Sequence, residues 1–398
     1  CNSWTTLIPM SGVTKELIVL GALLLVALAG EAVGRHTRVP RISLLVFIGF
    51  LLGPAVFGFI DPRQSPSFDF VAILALSMVG FLVGGKLSVA VFRKSGGPII
   101  RVSIIQVLVT FAVVAVGLLA LSFPFEIALL LGAIATATDP AATLDAIRQS
   151  AVKSRFSDVL TGVVAIDDAW GLIMFSVAVM IIQVLTTTNL DGSVFLHIGR
   201  ELFGAVLLGV FLGLPMALIS GRIRKGQPTL IEAIGMVMLC AGLAQWLSLS
   251  HLLACVVMGI TVTNLARHHT RPFHAVEEIE WPFLAIFFIF SGAYLTLDAL
   301  DLVAVPLLAY VVLRVIGRSL GGVLVGWTGG SDATVYRWMG AAMLPQAGVA
   351  MAMTFQAVSL YPGLQDTLLP VVIAATVFFE LLGPVFTVAI LKRVPEGA

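Results

Sequence analysis

The sequence is poor in charged residues and in cysteine, and each shortage excludes a class of protein. Only 11% of the 398 residues are Asp, Glu, Lys or Arg, whereas a soluble domain carries about a quarter. The formal net charge is +1 and the basic residues are scattered between apolar runs, so the sequence does not predict a nucleic-acid partner. Cys1, Cys240 and Cys255 do not suggest a disulfide framework, and the latter two lie in apolar runs as expected packing residues.

Apolar residues are abundant instead, and they recur in runs of membrane-spanning length. Hydrophobic residues make up 59% of the chain, and the mean hydropathy is +1.06. Apolar runs of about twenty residues separated by short charged loops are typical of a polytopic membrane protein. The sequence therefore predicts an all-α protein in a lipid bilayer with about thirteen transmembrane helices. The predicted helices cover residues 14–34, 41–60, 68–91, 98–122, 126–147, 156–186, 195–220, 229–248, 250–265, 281–299, 302–327, 333–360 and 365–391.

The basic residues give these helices an orientation. Lys and Arg gather in every second loop, as at Arg155, Arg222 and Arg224, whereas the opposite loops hold acidic residues such as Asp61 and Asp366. Loops rich in Lys and Arg face the cytoplasm. We therefore expect an integral protein of the bacterial inner (plasma) membrane, with its amino terminus outside and its carboxyl terminus in the cytoplasm.

The order of the predicted helices divides the chain into two halves of opposite orientation. Residues 1–12 are expected to form an extracytoplasmic segment, and residues 393–398 a cytoplasmic tail. Between them, the first six-helix repeat at 13–186 begins outside, a linker helix occupies 187–228, and the second six-helix repeat at 229–392 begins inside. Inverted repeats are an architecture of transporters.

Each predicted repeat contains one helix that is interrupted near its middle. "TATDPAATL" places Pro140 after Asp139 in the fifth helix, and "MLPQAGVAM" places Pro345 and Gly348 in the twelfth. Proline frees a backbone carbonyl, which a membrane tolerates only where protein or a wet cavity covers it. Two such breaks that cross leave helix ends with partial charges. We expect Asp139 to neutralise amino ends there, and Glu380 to assist it.

Charged residues deep in predicted helices indicate the functional region. Asp167 and Asp168 lie inside one apolar run, where a carboxylate is costly unless it is compensated. Arg314 lies about 18 Å into its own helix, so that pairing with an aspartate would let both charges exist at that depth. Because consecutive helical residues point about 100° apart, we assign Asp168 to the ion path and Asp167 to the pairing with Arg314. Lys86 and Arg318 are expected to extend toward the cytoplasmic interface.

Oxygen atoms dominate the expected surroundings of Asp168. With Asp139, Thr136 and Thr138 it forms an oxygen-only cluster, which suits a hard monovalent cation such as a transported Na⁺. A proton and a cation compete for the same carboxylate oxygens, and that competition couples their opposite movements. No cofactor is implied, and the histidines at 268–274 lack the spacing of a metal site.

The sequence favours exchange of a monovalent cation for protons, with Na⁺ as the first choice and Li⁺ or K⁺ as alternatives. A sodium-coupled solute symporter or a cation channel of related fold is the second hypothesis, although a symporter needs a roomier polar cavity than these breaks offer. An intramembrane aspartyl protease also uses two buried carboxylates, for which Asp139 and Asp168 would have to meet. The sequence shows no Gly-any-Gly-Asp signature of that class.

Several motifs resemble those of the monovalent cation/proton antiporter superfamily, the sodium/proton exchangers. "GRHTRVPRISLLVFIGFLLGPAVFG" resembles the first loop and second helix of that family, and "GFLVGGKL" its third helix. "TATDPAATLDAI" resembles its broken helix and "AIDDAWGL" its paired-aspartate motif. "LSLSHLLACVVMGITVTN" and "FFIFSGAYLTL" resemble later helices, so the resemblance covers nearly the whole chain.

The resemblance implies an architecture, a mechanism and roles for four residues. It implies a homodimer in which a core domain with crossed helices moves like an elevator against a dimerisation domain. It also implies that Asp168 is the ion-binding carboxylate and that Asp167 is the partner of a basic residue. Thr138 and Asp139 would belong to the unwound segment of the broken helix.

The chain departs from the pattern of that family at two positions. Arg314 stands where electrogenic members commonly have Lys, and Gln346 stands where many relatives have Arg. Arg stays protonated where a buried Lys can release its proton, so the paired aspartates do not by themselves fix the proton stoichiometry. Arg318 is an alternative partner for Asp167.

Overall fold

The structure is a computed structural model that describes most of the chain. It covers residues 12–37, 40–62, 65–150, 152, 154–186, 192–220, 229–266, 270–328 and 336–394. The predicted terminal segments lie almost entirely outside the described residues, at 1–11 and 395–398. The basic loop at 221–228 and the histidines His268 and His269 also lie outside them.

The described helices follow one another in the predicted order, and the all-α prediction is confirmed. They are α1 (Gly12–Thr37), α2 (Arg41–Leu52), α3 (Pro66–Lys86), α4 (Val89–Ala120), α5 (Phe125–Ile134), α6 (Pro140–Ser150), α7 (Arg155–Thr186), α8 (Gly192–Ser220), α9 (Thr229–Trp246), α10 (His251–Leu265), α11 (Thr270–Ala293), α12 (Leu297–Thr328), α13 (Met339–Ala342), α14 (Gly348–Leu360) and α15 (Gln365–Arg393). A 3-10 turn at Pro362–Leu364 precedes α15. Six of the described helices are long and apolar enough to cross a membrane.

Three helices have bounds that differ clearly from the predicted ones. Helix α4 begins at Val89 rather than at residue 98. Helix α2 ends at Leu52 rather than at residue 60, because Gly53 takes an extended conformation with ψ of −178° and the chain then turns. Helix α11 runs from Thr270 to Ala293 rather than over 281–299. Its first turns are charged, and a hydropathy window detects only the apolar part of such a helix.

The two interrupted helices meet at their interruptions. The first break covers residues 135–139, between α5 and α6, and the second break covers residues 343–347, between α13 and α14. The backbone N–H of Asp139 donates a hydrogen bond to the carbonyl of Pro345 at 2.9 Å. The two breaks therefore cross in direct contact, and each satisfies a backbone group of the other.

The two halves of the chain pack on each other in a symmetric pattern. Helix α2 packs on α11, α3 packs on α10, and α4 packs on α12. In the two predicted repeats, α2 corresponds to α10 and α3 corresponds to α11. The α2·α11 contact and the α3·α10 contact are therefore equivalent under this correspondence. This is the arrangement that two inverted repeats produce.

Glycines bring the backbones of these symmetric pairs close together. A Cβ atom on any of Gly49, Gly84, Gly259 or Gly292 would overlap a backbone carbonyl of the facing helix. Small residues at helix interfaces allow this close approach in membranes, where dispersion contacts replace the hydrophobic effect as the driving force. The α2·α11 and α3·α10 pairs therefore form a tightly interlocked frame.

The helices form two groups that differ in what they surround. Helices α4–α7 and α12–α15, the crossover group, pack around the two breaks, whereas α1–α3 and α8–α11, the flanking group, pack beside them. One buried apolar cluster, which includes Cys240, Cys255 and Met258, lies wholly within the flanking group. Another, which includes Val102, Phe156, Met339 and Met343, lies within the crossover group. A third and larger cluster, which includes Phe68, Leu130 and Phe287, spans both groups. Each group therefore has packing of its own and also shares a core with the other group.

We expect Gly84→Ala to lower the thermal unfolding temperature of the detergent-solubilised protein, because the added Cβ meets the carbonyl of Val256. A backbone carbonyl cannot turn aside like a flexible side chain, and overpacking costs about 1–3 kcal/mol. Gly242→Ala is the matched control, because a Cβ at that position of α9 has no neighbour within 4 Å. Equal unfolding temperatures for the two variants would contradict the close α3·α10 packing.

Candidate ion-binding site

The candidate site lies where α7 passes the first break. Asp167 and Asp168 stand near the middle of α7, and they expose only 0% and 2% of their surface. Gly171, one turn further along, packs so closely that a Cβ there would lie 3.1 Å from the Thr136 hydroxyl oxygen. The contact of α7 with the first break therefore places both aspartates beside the unwound backbone.

Asp167 is the centre of a buried hydrogen-bonded cluster with Arg318. Its Oδ2 atom accepts hydrogen bonds from Nη1 and Nη2 of Arg318, both at 3.2 Å, and from the Thr138 hydroxyl at 2.5 Å. Arg318 Nη2 also donates to Thr138 Oγ1 at 2.9 Å and to the carbonyl of Thr136. A buried carboxylate and a buried guanidinium thus neutralise each other with several hydrogen bonds, as such a pair requires.

The predicted pairing of Asp167 with Arg314 is wrong, and the alternative partner Arg318 takes that place. The prediction rested on the angle between Asp167 and Asp168 and on the depth of Arg314, and neither shows which of two arginines one turn apart on the same helix reaches the aspartate. Arg318 was also expected to reach toward the interface, but it is completely buried.

Arg314 instead binds the backbone of both breaks. Its Nε donates to the carbonyl of Ala135 at 3.1 Å, its Nη2 to that of Ala137 at 2.8 Å, and its Nη1 to that of Leu344 at 2.7 Å. Its guanidinium carbon lies 4.2 Å from the ring centroid of Phe379. Arg314 therefore supplies positive charge and donors to carbonyls that the interruption of α5 and α13 leaves without helical partners.

Asp168 points to a different neighbour, as the angle between consecutive helical residues requires. Its Oδ2 atom lies 3.7 Å from the ammonium nitrogen of Lys86, the last residue of α3. Its Oδ1 atom is buried and, among the residues that the structure describes, has no hydrogen-bond partner. The Lys86 side chain is 41% exposed, so it reaches Asp168 from a more open side of the site.

The polar side chains of the first break form hydrogen bonds with different partners. The Thr136 hydroxyl donates to the carbonyl of Ala133 at 2.6 Å, and the Thr138 hydroxyl belongs to the Asp167 cluster. Asp139 accepts a hydrogen bond from the backbone N–H of Ala141 at 2.9 Å through its Oδ1 atom. Asp139 thus contacts the amino end of α6, which begins at Pro140.

Glu380 occupies a position in α15 that corresponds to that of Asp168 in α7. Each carboxylate stands three residues before a glycine that touches a break: Gly171 faces the first break, and a Cβ on Gly383 would lie 2.6 Å from the Pro345 nitrogen of the second. Glu380 is 3% exposed and accepts a hydrogen bond from the Ser43 hydroxyl at 3.3 Å. It therefore connects α15 of the crossover group with α2 of the flanking group.

The sequence pattern did not predict the hydrogen bonds of three further polar residues of the site. Tyr310 and Gln346 share hydrogen bonds of 3.0 and 3.3 Å beside the second break. Gln106 donates to the carbonyl of Arg318 at 2.8 Å. A tyrosine or glutamine inside an apolar run is the signal that could have indicated them, because buried polar side chains need partners.

Carboxylate oxygens are the candidate cation ligands of the site. Within the described ranges, no group of three or more His, Cys, Asp or Glu side chains could hold a metal ion. His274 is well exposed and lies 3.4 Å from Glu277 in a pair away from the breaks. Asp168, with one unpartnered oxygen, and Asp139 are carboxylates near each other at the first break, and oxygen donors of this kind suit hard cations.

Comparison with known proteins gives related sequences and a related structure. An ammonium/proton antiporter subunit, AmhT, of Alkalihalophilus pseudofirmus is 23% identical over 332 residues, which cover 82% of this chain and 80% of that protein. The Na⁺/H⁺ antiporter NhaS2 of Synechocystis is 26% identical over 262 residues, which cover 64% of this chain and 46% of that protein. The sodium proton antiporter MjNhaP1 of Methanocaldococcus jannaschii has a similar fold, with a TM-score of 0.76 and 16% identity over 96% of this chain and 99% of that one.

A family model covers almost the whole described chain. The transmembrane region of the sodium/hydrogen exchangers matches residues 21–393, a range that includes both breaks and both members of the aspartate pair. This confirms the fold class and the placement in a membrane that the sequence predicted. The chain belongs to the sodium/hydrogen exchanger family.

Proposed function

We propose that this protein is a secondary active antiporter that exchanges Na⁺ for protons across a bacterial inner membrane, with Li⁺ or K⁺ as alternative cations. The observation that carries the proposal is the state of Asp168. This carboxylate is buried beside the unwound first break and has one oxygen with no hydrogen-bond partner among the described residues. Asp167 also has an unpartnered Oδ1 atom, but its charge is neutralised by the fully buried Arg318. The cation beside Asp168 is the partly exposed Lys86, so Asp168 is the member of the pair that a transported cation or a proton would bind.

Competition at Asp168 supplies the coupling in this proposal. A carboxylate away from water takes up a counter-charge, and a proton and an alkali cation are alternatives for the same oxygens. Asp139 lies within electrostatic range of Asp168 and would contribute a second oxygen ligand. Thr136 would offer its hydroxyl oxygen, which donates to the carbonyl of Ala133 and keeps its lone pairs for a cation. Thr138 would act through the unwound backbone, because its hydroxyl both donates to Asp167 and accepts from Arg318.

The polar residues around Asp168 would keep the crossing stable while the ion changes sides. Arg314 and Arg318 hold carbonyls and a carboxylate around the two breaks. Asp139 would neutralise the amino end of α6, and Glu380 would assist from α15. Pro140 and Pro345 would keep the two breaks unwound, because proline cannot donate the backbone hydrogen bond that a continuous helix needs.

We also propose that transport proceeds by an elevator-type movement of the crossover group along the flanking group in a homodimer. Each group has an apolar cluster of its own, which would keep the group's shape during such a movement. The contacts of the larger cluster that both groups share would have to change. The predicted topology, with the amino terminus outside and the carboxyl terminus in the cytoplasm, would place the basic loops in the cytoplasm. The domain boundaries 13–186, 187–228 and 229–392 would then mark the two repeats and the linker helix.

We expect Asp168→Asn to abolish cation-triggered proton efflux from proteoliposomes that contain a pH-sensitive dye, because the amide cannot take up either charge. The surface variant Asp145→Asn is the matched control, since Asp145 is 77% exposed in its pair with Arg148. It should exchange at the rate of the unchanged protein. Undiminished exchange by Asp168→Asn would refute the role of this carboxylate.

The same assay separates the candidate functions and cations. An exchanger moves protons when only Na⁺, Li⁺ or K⁺ is added, whereas a symporter needs a further solute and a channel conducts the cation without moving protons. Ammonium belongs in the series because one relative is named an ammonium/proton antiporter subunit; protein-free liposomes correct for the permeation of ammonia. The absence of proton movement with every cation would refute the proposed exchange.

We expect Arg318→Met to destabilise the protein by about 3–5 kcal/mol, because Asp167 would then be buried without a counter-charge. Adding Asp167→Asn should recover much of this loss, since the buried charge is removed. Thermal unfolding of the purified single and double variants measures both effects.

Arg314→Met provides the contrast for this double-variant experiment. It should also destabilise the protein, because three carbonyls of the breaks lose their donors. Adding Asp167→Asn should not restore stability in this case. Recovery with Arg314→Met and not with Arg318→Met would mean that Asp167 pairs with Arg314 after all.

A further inference from the structure

Lys86 brings a positive charge to the candidate ion site from the other group of helices. It is the last residue of α3 in the flanking group, whereas Asp168 lies on α7 in the crossover group. The ammonium nitrogen lies 3.7 Å from Asp168 Oδ2. A covalently attached cation therefore stands where a transported cation would have to approach the carboxylate.

The backbone that carries Lys86 is held firmly in place. The side chain of Asn264, on α10, donates to the carbonyl of Leu87 at 3.0 Å and accepts from the backbone N–H of Val89 at 2.8 Å. Gly84 on α3 packs directly against the backbone of α10. The carboxyl end of a helix also favours a cation. Movement of the Lys86 charge is therefore movement of its flexible side chain, not of the helix end.

Carboxylates on both sides of Lys86 interact with its charge. Asp168 and Asp139 lie on the crossover side, and Glu280 of α11 lies on the flanking side. Glu280 belongs to the same helix group as Lys86, so it would stay within reach if the crossover group moved away. Helices α3 and α11 pack on each other, so the ammonium has one carboxylate in direct contact inside the ion site and another, Glu280, within electrostatic range outside it.

We propose that Lys86 is a tethered competitor of the transported cation, which pairs with Asp168 when the site is empty and moves toward Glu280 when a cation binds. This inference rests on the proposed antiport function. When no cation is bound, the ammonium of Lys86 neutralises the negative charge of Asp168. The ion pair between Lys86 and Asp168 then holds the crossover group in place. Binding of a cation or a proton neutralises Asp168. The ion pair with Lys86 then breaks, and the crossover group is free to move.

The first test measures Na⁺ affinity of the purified protein by isothermal titration calorimetry. Lys86→Gln should bind Na⁺ more tightly by about two- to fivefold, the range that a partly exposed ion pair supplies. Glu280→Gln should bind Na⁺ more weakly, because Lys86 loses its alternative partner. The double variant should match Lys86→Gln, since Glu280 acts only through Lys86, and Lys86→Arg should stay close to the unchanged protein.

Two results would overturn the inference. One is an unchanged or weaker Na⁺ affinity of Lys86→Gln, and the other is an effect of Glu280→Gln that persists in the absence of Lys86. If a variant fails to fold, the unchanged protein provides a second measurement: Na⁺ should increase the acetylation of Lys86 by an amine-reactive reagent, as read by mass spectrometry. Equal acetylation with and without Na⁺ would also refute the exchange of partners.

These outcomes are distinct from failure of the proposed function. Proton efflux from proteoliposomes with the unchanged protein tests the antiport itself, and Asp168→Asn tests whether Na⁺ binding in the calorimeter requires that carboxylate. Normal exchange by the unchanged protein together with an unaltered affinity of Lys86→Gln would reject the tethered competitor alone. Absence of exchange in the unchanged protein would reject the function on which the inference rests.

Discussion

The structure depends on hydrogen bonds for the backbone N–H and carbonyl groups of two helices that are interrupted inside a membrane. Lipid offers no hydrogen bonds, so every carbonyl freed at a break must find a donor within the protein. The two breaks supply one such bond to each other, from Asp139 to Pro345. Two arginines of α12 supply several more, and their charges lie beside the carbonyls at the ends of the interrupted helices. The crossing of two unstable segments is thus stabilised by a single helix that crosses beside both.

The adjacent aspartates have different environments because a helix turns about 100° per residue. Asp167 faces Arg318 and Thr138 in a buried cluster, which gives it a fixed structural partner. Asp168 faces Lys86, whose long and partly exposed side chain can change position at little cost. In the proposed exchange, the buried partner of Asp167 would neutralise its charge permanently, whereas Lys86 would neutralise Asp168 only until a cation or a proton binds.

Movement of one helix group against the other needs a rigid frame and few bonds between the groups. The interlocked glycines of α2·α11 and α3·α10 provide rigidity within the flanking group. Between the groups, two of the polar contacts are single pairs: Lys86 with Asp168, and Ser43 with Glu380. Both carboxylates stand at corresponding positions of the two halves, three residues before a glycine that touches a break. The two groups thus meet at one carboxylate from each half, whereas both partners, Lys86 and Ser43, belong to the first half.

The sequence by itself determined the class of protein, the succession of helices and the places where they break. Long apolar runs, Pro140 and Pro345 act locally, through hydropathy and the missing backbone donor, so they can be read without knowledge of neighbours. The sequence also identified the aspartate pair, because charge inside an apolar run is costly in any fold. Only the tertiary structure decided that Arg318 pairs with Asp167, that Arg314 binds the carbonyls of both breaks, and that Lys86 reaches Asp168. Those contacts join residues far apart in the chain, and they depend on side-chain directions and helix crossings that hydropathy and depth do not encode.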